Sequence, residues 1–519
     1  MGRYLSTPRT GVSGHWRVFH FALIGLFVLT AMLLASCTPA NGQSNAVNGQ
    51  PADQEAPGEI KVAFISDTGF DEDFPEVLDL ILAEGAEMVI HQGDFDEERN
   101  PDAAFAIIDE KLGPDFPFFF TVGNHDAAVW DSGCGNPQGC YSEYLSERLA
   151  RLGVTPDDPD LNDQMYSVSF RGLKMVFVGE DLRADDPTYA NFIDEQLTGD
   201  EHTWKICSWH EEQEAMQVGN KRDSMGWAVY ETCRKHGAFI VTGHVHIYSR
   251  THTLIDMEHQ VVDPEWPDPA SVRVAPGATF VAIPSLGGAS IREQVRCLPT
   301  EYPYGCFGEW AKIYSSSQNA DYGALFITFN AGSDPNKAHA YFKNVRGEVV
   351  DEFTITSQAE PVGLRTAVLY PDADTFVSAR AAAEDFSGEP VLEVDGDPEK
   401  IAYLRFNLGD VDRSALVSAM LRLKVEDSSR NELTLSIVDG GWQGDELTYD
   451  SRPPLGAPVA TVPGGREGQW LQVDIAEAIR QASGDELTIA VASEGSDGID
   501  FASSEAEVDQ PYLVLVLED

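Results

Sequence analysis

The run Met88-Val89-Ile90-His91-Gln92-Gly93-Asp94-Phe95-Asp96-Glu97 decides how the first half of this chain folds. Its apolar start stops abruptly at Gly93-Asp94. That reads as a buried strand delivering a carboxylate to the mouth of an α/β sheet, where such folds place their ligands. Asp94 is therefore a candidate bridging metal ligand. Taken alone, a Gly-Asp after a strand is better read as a turn whose residue types suit the backbone, so the reading depends on what the other strand ends carry.

Upstream, Val62-Ala63-Phe64-Ile65 reads as a buried strand ending in Ser66-Asp67-Thr68-Gly69, and Phe74 to Ala83 as a helix. Downstream come a helix from Ala103 to Leu112, then a strand from Phe118 to Val122 that ends in Gly123-Asn124-His125-Asp126. Val168 to Val178 reads as a hairpin, followed by another helix and a strand into Ser208-Trp209-His210. A helix near Trp227 to Lys235 precedes a strand from Phe239 to Thr242 and Gly243-His244-Val245-His246. Beyond His246 strands prevail, ending with Phe326 to Phe329 and Val349 to Ile355. Strands alternating with helices over short loops predict a parallel sheet, whose strand ends gather at one edge.

Two carboxylates, an amide oxygen and three imidazoles at those ends suit a pair of divalent or trivalent metals. Each motif is weak alone, because a His after a strand is more often a satisfied polar residue; five in this order are strong. The order resembles the calcineurin-like metallophosphoesterases, and within them the purple acid phosphatase branch, over roughly Glu59 to Thr356. The branch's Asp-x-Gly is matched by Asp67-Thr68-Gly69, and its last motif by Gly243 to Arg250. The resemblance implies an α/β metallophosphoesterase sandwich, with central β-sheets flanked by helices. It also implies that Asp67, Asp94 and His246 hold one metal (Fe, Mn or Zn), and that Asp94, Asn124, His210 and His244 hold the other. Paired cations lower the pKa of a bound water and neutralise phosphate oxygens, which is hydrolytic chemistry on phosphoric esters. His125 is assigned to phosphate contact or leaving-group protonation, with Asp126 orienting its ring; a purely structural role is the competing reading of His125. One departure concerns the Tyr that purple acid phosphatases carry three residues after the bridging Asp. Here Glu97 stands there, a hard ligand without the phenolate's colour, with Asp96 and Glu98 as neighbouring candidates.

Other residues invite blander readings. His252 reads as a surface strand position and His91 as packing in or under its strand. Gly287-Gly288 lacks the Lys or Ser/Thr pattern of a phosphate loop and reads as a turn. Trp130 and Tyr141 could line the pocket mouth or pack in the core.

After a short link at 357–364, the second half shows evenly spaced alternating runs, such as Ala402 to Phe406, Leu421 to Val425, Leu433 to Ile437 and Tyr512 to Val516. Its one strong helix is Ile475 to Ala482. This predicts a separate all-β, jelly-roll-like sandwich over 365–519. Tyr370-Pro371-Asp372-Ala373-Asp374, Leu447-Thr448-Tyr449 and Trp470 to Ile475 resemble the DNRLRE β-sandwich domains, which are related to carbohydrate-binding modules. The resemblance implies a polysaccharide partner; a purely structural or a calcium-bound (Ca) sandwich is the competing reading.

The 519 residues allow two or three domains, and 43% apolar content is ample for their cores. With 35 Lys and Arg against 85 Asp and Glu, the formal charge is −50, so no nucleic acid partner is expected. Arg3, Arg9 and Arg17 precede the apolar run Val18 to Ala35, which ends in Leu34-Ala35-Ser36-Cys37. This reads as a signal peptide over 1–37 resembling those of bacterial lipoproteins, with lipid on Cys37 as the membrane partner. A transmembrane anchor is the competing reading. A flexible linker over 38–58 follows. Six cysteines remain for disulfides: Cys134/Cys140 and Cys297/Cys306 are local pairs, and Cys207/Cys233 are left over. These readings describe an exported, lipid-anchored phosphoesterase on the periplasmic face or cell surface. It would hydrolyse a phosphate mono- or diester on a small molecule or a phosphorylated polymer. The alternative is a surface binding lipoprotein with an impaired phosphoesterase domain.

Overall fold

The computed structural model describes residues 58–70, 73–96, 99–132, 134, 139–157, 164–179, 187–438, 442 and 447–519. The signal peptide, Cys37, the linker through residue 57, Glu97 and Glu98 lie outside the described residues. Among those described, no helix is long and apolar enough to cross a membrane.

The first half builds two mixed sheets face to face. Strands β1 (Ile60–Ile65), β2 (Met88–His91) and β3 (Phe118–Phe120) run parallel in one sheet. In the other, β4 (Tyr166–Phe170) and β5 (Leu173–Phe177) form the hairpin expected near Val168 to Val178, and β6 (Trp204–Ser208) and β7 (Phe239–Val241) follow parallel to β5. Later strands complete both sheets. They are β8 (Tyr248–Thr251), β9 (Leu254–Asp256), β10 (Val261–Val262), β11 (Ser271–Val274), β12 (Val281–Pro284), β13 (Trp310–Tyr314), β14 (Gly323–Phe329), β15 (Lys337–Asn344) and β16 (Val349–Ser357). The first sheet has the order β11-β16-β15-β14-β1-β2-β3 and the second β13-β8-β12-β7-β6-β5-β4, while β9 and β10 pair separately. The strands that alternate with helices are parallel as expected, and the later strands make the sheets mixed, because β14 returns antiparallel against β1 and β15 against β14. A run buried on both faces has the same apolar pattern in either direction, so periodicity does not reveal it.

Apolar inner faces hold the sheets together. Phe64 of the first meets Phe239 of the second at 6.1 Å between ring centroids, and Phe239 stacks on Phe280 at 5.3 Å. Each such fully buried ring contributes about 2–3 kcal/mol of transfer free energy. Helices α1 (Asp73–Ala83), α2 (Pro101–Lys111) and α3 (Tyr141–Leu152) accompany the first sheet; α4 (Thr188–Leu197) and α5 (Trp227–Lys235) accompany the second. Asn100 caps α2, its side chain accepting from the Ala103 amide, with Pro101 in the first turn where no amide is needed. Disulfides Cys134–Cys140, Cys207–Cys233 and Cys297–Cys306 use all six cysteines, and the second ties β6 to α5.

The second half is an all-antiparallel, curled sandwich running from Leu364–Leu369 to Tyr512–Glu518, with a short α-helix at Ala476–Gln481. It has its own core, including Phe376, Leu404, Leu421, Phe501 and Leu515. A smaller cluster joins Ile255 and Val261 of the first half to Leu364, Tyr512 and Val514 of the second. Arg422, 2% exposed, crosses the same seam: its Nη1 donates to the His259 carbonyl at 2.5 Å, and its guanidinium lies 3.6 Å from the Phe307 ring.

Candidate metal centre

The C-terminal ends of β1, β2 and β3 meet those of β6 and β7 across the two sheets. Asp67, Asp94, Asn124 and His125 come from the first sheet, and His210, His244 and His246 from the second. Asp67, Asp94, His244 and His246 all have φ between 55° and 67°. Four left-handed non-glycine residues at one site mark backbone strain that the surrounding fold holds in place. Their glycine neighbours allow the close approach, since a Cβ on Gly123 would lie 2.2 Å from Asp94 Oδ1.

Each Asp67 oxygen has its own environment. Oδ2 accepts from Ser66 Oγ at 2.6 Å, from the His244 amide at 2.8 Å and from Ser285 Oγ. Oδ1 has no hydrogen-bond partner and faces His246 Nε2 at 3.3 Å. That ring's Nδ1 donates to the Ser290 carbonyl at 2.7 Å, so in the neutral ring Nε2 carries the lone pair. His210 repeats the pattern. Its Nδ1 donates to the Gln92 carbonyl at 2.7 Å, and its Nε2 faces Asp94 Oδ2 at 3.0 Å without a hydrogen bond. Two acceptors at such distances need a proton or a cation between them. Burial pushes the Asp67 carboxyl up, but His246, His210 and the two serine hydroxyls outweigh it and hold the group below its ordinary value.

The donor set fits metal ions. Asn124 Oδ1 is also buried without a partner. Asp94, His210 and His244 each offer a ligand atom within 4.8 Å of the others. His244 Nε2 lies 3.3 Å from Glu211 Oε1, and its Nδ1 is 3.4 Å from Lys221 Nζ. His125, with 31% of its side chain exposed, donates its amide to Asp94 Oδ1 at 2.9 Å and places Nε2 4.0 Å from Asp94 Oδ2. It lines the small mouth of the site with Thr68, Asp96 and Ala289.

Asp126 has a different job from the one expected. It does not orient the His125 ring. Its carboxylate accepts from the amides of Asp94 at 2.7 Å, Gly123 at 2.9 Å and Phe95 at 3.1 Å. It is a buried clamp between the loops after β2 and β3, and burial together with neighbouring Asp94 pushes its carboxyl well above its ordinary value. Asp96 accepts from Tyr141 Oη at 2.9 Å and from the Asn100 amide. Trp130 and Tyr141 belong to the core, at 1% and 0% exposure. His91 stacks on Phe95 at 4.0 Å. His252 is buried rather than at the surface. Gly287 is more than a turn, because its amide donates to the Ser66 carbonyl and a Cβ there would strike that oxygen.

Residues 60–248 match the family model of calcineurin-like phosphoesterases, and residues 365–517 match carbohydrate-binding module family 96. The chain fuses these two domains. No curated protein matches this sequence. Among solved structures, a purple acid phosphatase from yellow lupin (Lupinus luteus) seeds is 17% identical with a TM-score of 0.44, covering 58% of this chain and 54% of its own. This chain thus spans about half of that phosphatase. GAP50, the anchor in the inner membrane complex of Plasmodium, is 13% identical with a TM-score of 0.36, covering 58% of this chain and 90% of its own. PhoD is 12% identical with a TM-score of 0.34, covering 59% of this chain and 74% of its own.

In the phosphoesterase domain, the family model ends at residue 248, before several supports of the centre. Ser285 and Ser290 lie beyond it, holding Asp67 and the His246 ring in place. Sequence reading missed both, as well as Glu211 and Lys221. The only signal for them was their position in loops adjoining strand ends.

Proposed function

We propose that the chain is a dinuclear-metal phosphoesterase that hydrolyses phosphate mono- or diesters. The paired imidazole–carboxylate contacts carry this reading: His246 faces Asp67 and His210 faces Asp94, both without a shared hydrogen bond. Asp67, Asp94 and His246 would hold one ion, and Asp94, Asn124, His210 and His244 the other; Glu97 is proposed to complete the first set. Fe, Mn and Zn all suit such oxygen and imidazole donors. When bound, the ions supply Lewis acidity and a low-pKa water.

The chain's own residues account for the rest. Ser66, Ser285 and the His244 amide fix Asp67 so that one oxygen alone is presented. The Gln92 and Ser290 carbonyls fix two imidazole tautomers, as outer partners of metal-bound histidines do. His125 stands at the mouth, where its ring can hydrogen-bond a phosphate oxygen and deliver a proton to the leaving group. A lipid on Cys37 would keep the enzyme at a membrane outside the cytoplasm, and the sandwich would hold it against polysaccharide.

Metal content and hydrolysis of p-nitrophenyl phosphate test this directly, with wild type beside Asp94→Ala. Two ions per wild-type chain and loss of hydrolysis in the variant are expected. A metal-free, inactive wild type overturns the proposal.

A further inference from the structure

The seam between the two domains forms an open cleft of about 590 Å³ that adjoins a second hollow of about 380 Å³. The two share the walls Trp227, Trp470, Val508, Asp509 and Tyr512. The combined volume is that of a small-molecule site rather than a packing gap. It is also preformed, because Arg422 and the apolar cluster of Ile255, Val261 and Val514 already lock the domains together.

Of the rings on its walls, Tyr512, Phe307 and Trp470 take part in that locking. Trp227 and Trp470 are only partly buried, and Tyr370, which lines the smaller hollow, is 55% exposed. Trp470 lies 5.5 Å from Tyr512, and Tyr512 lies 6.0 Å from Tyr370, so three rings follow one another along the groove. Between them stand hydrogen-bonding groups of both kinds: Gln213, Gln510, Lys424 and Asp509, the last two paired at 3.2 Å. A pyranose ring matches this composition. Its C–H faces are apolar and lie flat on indole or phenol, while its equatorial hydroxyls point sideways to donors and acceptors. Charge narrows the class further. The carboxylates Glu214, Asp223, Glu258 and Glu507 outnumber the cations on these walls, so a polyuronate or other polyanionic chain is repelled.

Two chain segments run from the metal centre to the cleft. The loop that begins at His210 passes Glu211, which touches His244, and reaches the cleft at Gln213, Glu214 and Asp223. The segment whose Arg292 amide donates to the His246 carbonyl at 3.1 Å reaches the same cleft at Arg296 and Phe307.

We infer that this seam, built from both domains, binds a neutral oligosaccharide and makes phosphate esters carried on such a glycan the substrate class of the metal centre. The second half of this inference rests on the phosphoesterase reading. The sandwich then supplies half of a substrate site, in addition to any tethering role.

The test titrates full-length protein with phosphate-free hexasaccharides of β-1,4-glucose, β-1,4-xylose, β-1,4-mannose, β-1,4-galactose and β-1,4-N-acetylglucosamine, read by calorimetry and tryptophan fluorescence. At least one is expected to bind with a fluorescence change. Its affinity should fall 10-fold or more in Trp470→Ala and in Tyr370→Ala, the latter being exposed enough to keep the melting temperature. The same hexamer phosphorylated at O6 should be hydrolysed with a KM at least 10-fold below that of p-nitrophenyl phosphate, and Tyr370→Ala should erase that gap. Binding by none of the five, or binding equally strong in both variants, overturns the seam site. Hydrolysis of p-nitrophenyl phosphate on the same preparation separates the two readings. If hydrolysis is present without glycan binding, only the seam site falls. If binding is present without hydrolysis, the phosphoesterase reading falls, and the substrate class with it.

Discussion

His246 Nε2 and Asp67 Oδ1 face each other at 3.3 Å, each with its other polar atom already engaged, the ring by Ser290 and the carboxylate by Ser66, Ser285 and the His244 amide. Such a pair is poised for a cation. Removing one partner should therefore empty one position and leave the other. Asp67→Asn is expected to bind one ion per chain against the two proposed for wild type, and to lose at least 100-fold in kcat for p-nitrophenyl phosphate, since one developing charge loses its stabiliser. Elemental analysis after gel filtration reads the stoichiometry. Two ions retained in Asp67→Asn would remove Asp67 from the ligand set.

Asp126 offers a sharper test of structure against chemistry. Its carboxylate holds the amides of Asp94, Gly123 and Phe95, and without it three buried N–H groups lose their acceptor. Each orphaned donor costs about 1–3 kcal/mol, so Asp126→Ala is expected to lose at least about 3 kcal/mol of stability. Thermal unfolding of the metal-free protein measures this apart from metal binding. A variant as stable as wild type but inactive would instead return Asp126 to the ring-orienting role expected from sequence.

The readable part of the centre was the part at strand ends. Asp67, Asp94, His210 and His244 each follow an apolar run, so a short unbroken apolar stretch followed by a hard donor marks them without any knowledge of distance. The supports were not readable in this way. Ser285 and Ser290 reach the centre from after β12, and nothing in their spacing to Asp67 or His246 records that contact. Helix α3 was also missed. Its apolar spacing begins directly after Cys140, where the short disulfide loop dominated the reading. Asp126 was assigned by adjacency to His125, whereas the backbone turn after Gly123 aims it at amides on the neighbouring strand end.

Lys221 lies on the loop that follows His210, with Nζ 3.4 Å from His244 Nδ1. A half-buried ammonium beside the centre adds a cation that a phosphate monoester dianion can use more fully than a diester monoanion. Lys221→Met should raise KM for p-nitrophenyl phosphate by about 10-fold, the worth of one charge-assisted hydrogen bond. The effect on bis(p-nitrophenyl) phosphate should be smaller. Equal losses on both esters would make Lys221 a support for His244 and nothing more.

Glu309 links stability to pH at the foot of the seam. It is 1% exposed, accepts from the Phe307 amide at 2.9 Å, and is pushed by burial from an ordinary 4.5 to about 7. Between those values the folded chain keeps a proton that the unfolded chain has released. Unfolding therefore becomes easier as pH rises through that window, and stability levels off above about 7. At 1.36 kcal/mol per pKa unit, the loss from pH 4.5 to pH 8 is on the order of 2–3 kcal/mol from this group. Asp374, raised to about 6, adds in the same direction, while Asp256, lowered to about 2, titrates outside the window. Glu309→Gln keeps the shape without the proton. Urea midpoints at pH 5 and pH 8 should accordingly differ less in Glu309→Gln than in wild type, and identical differences would show that Glu309 ionises freely in the folded protein.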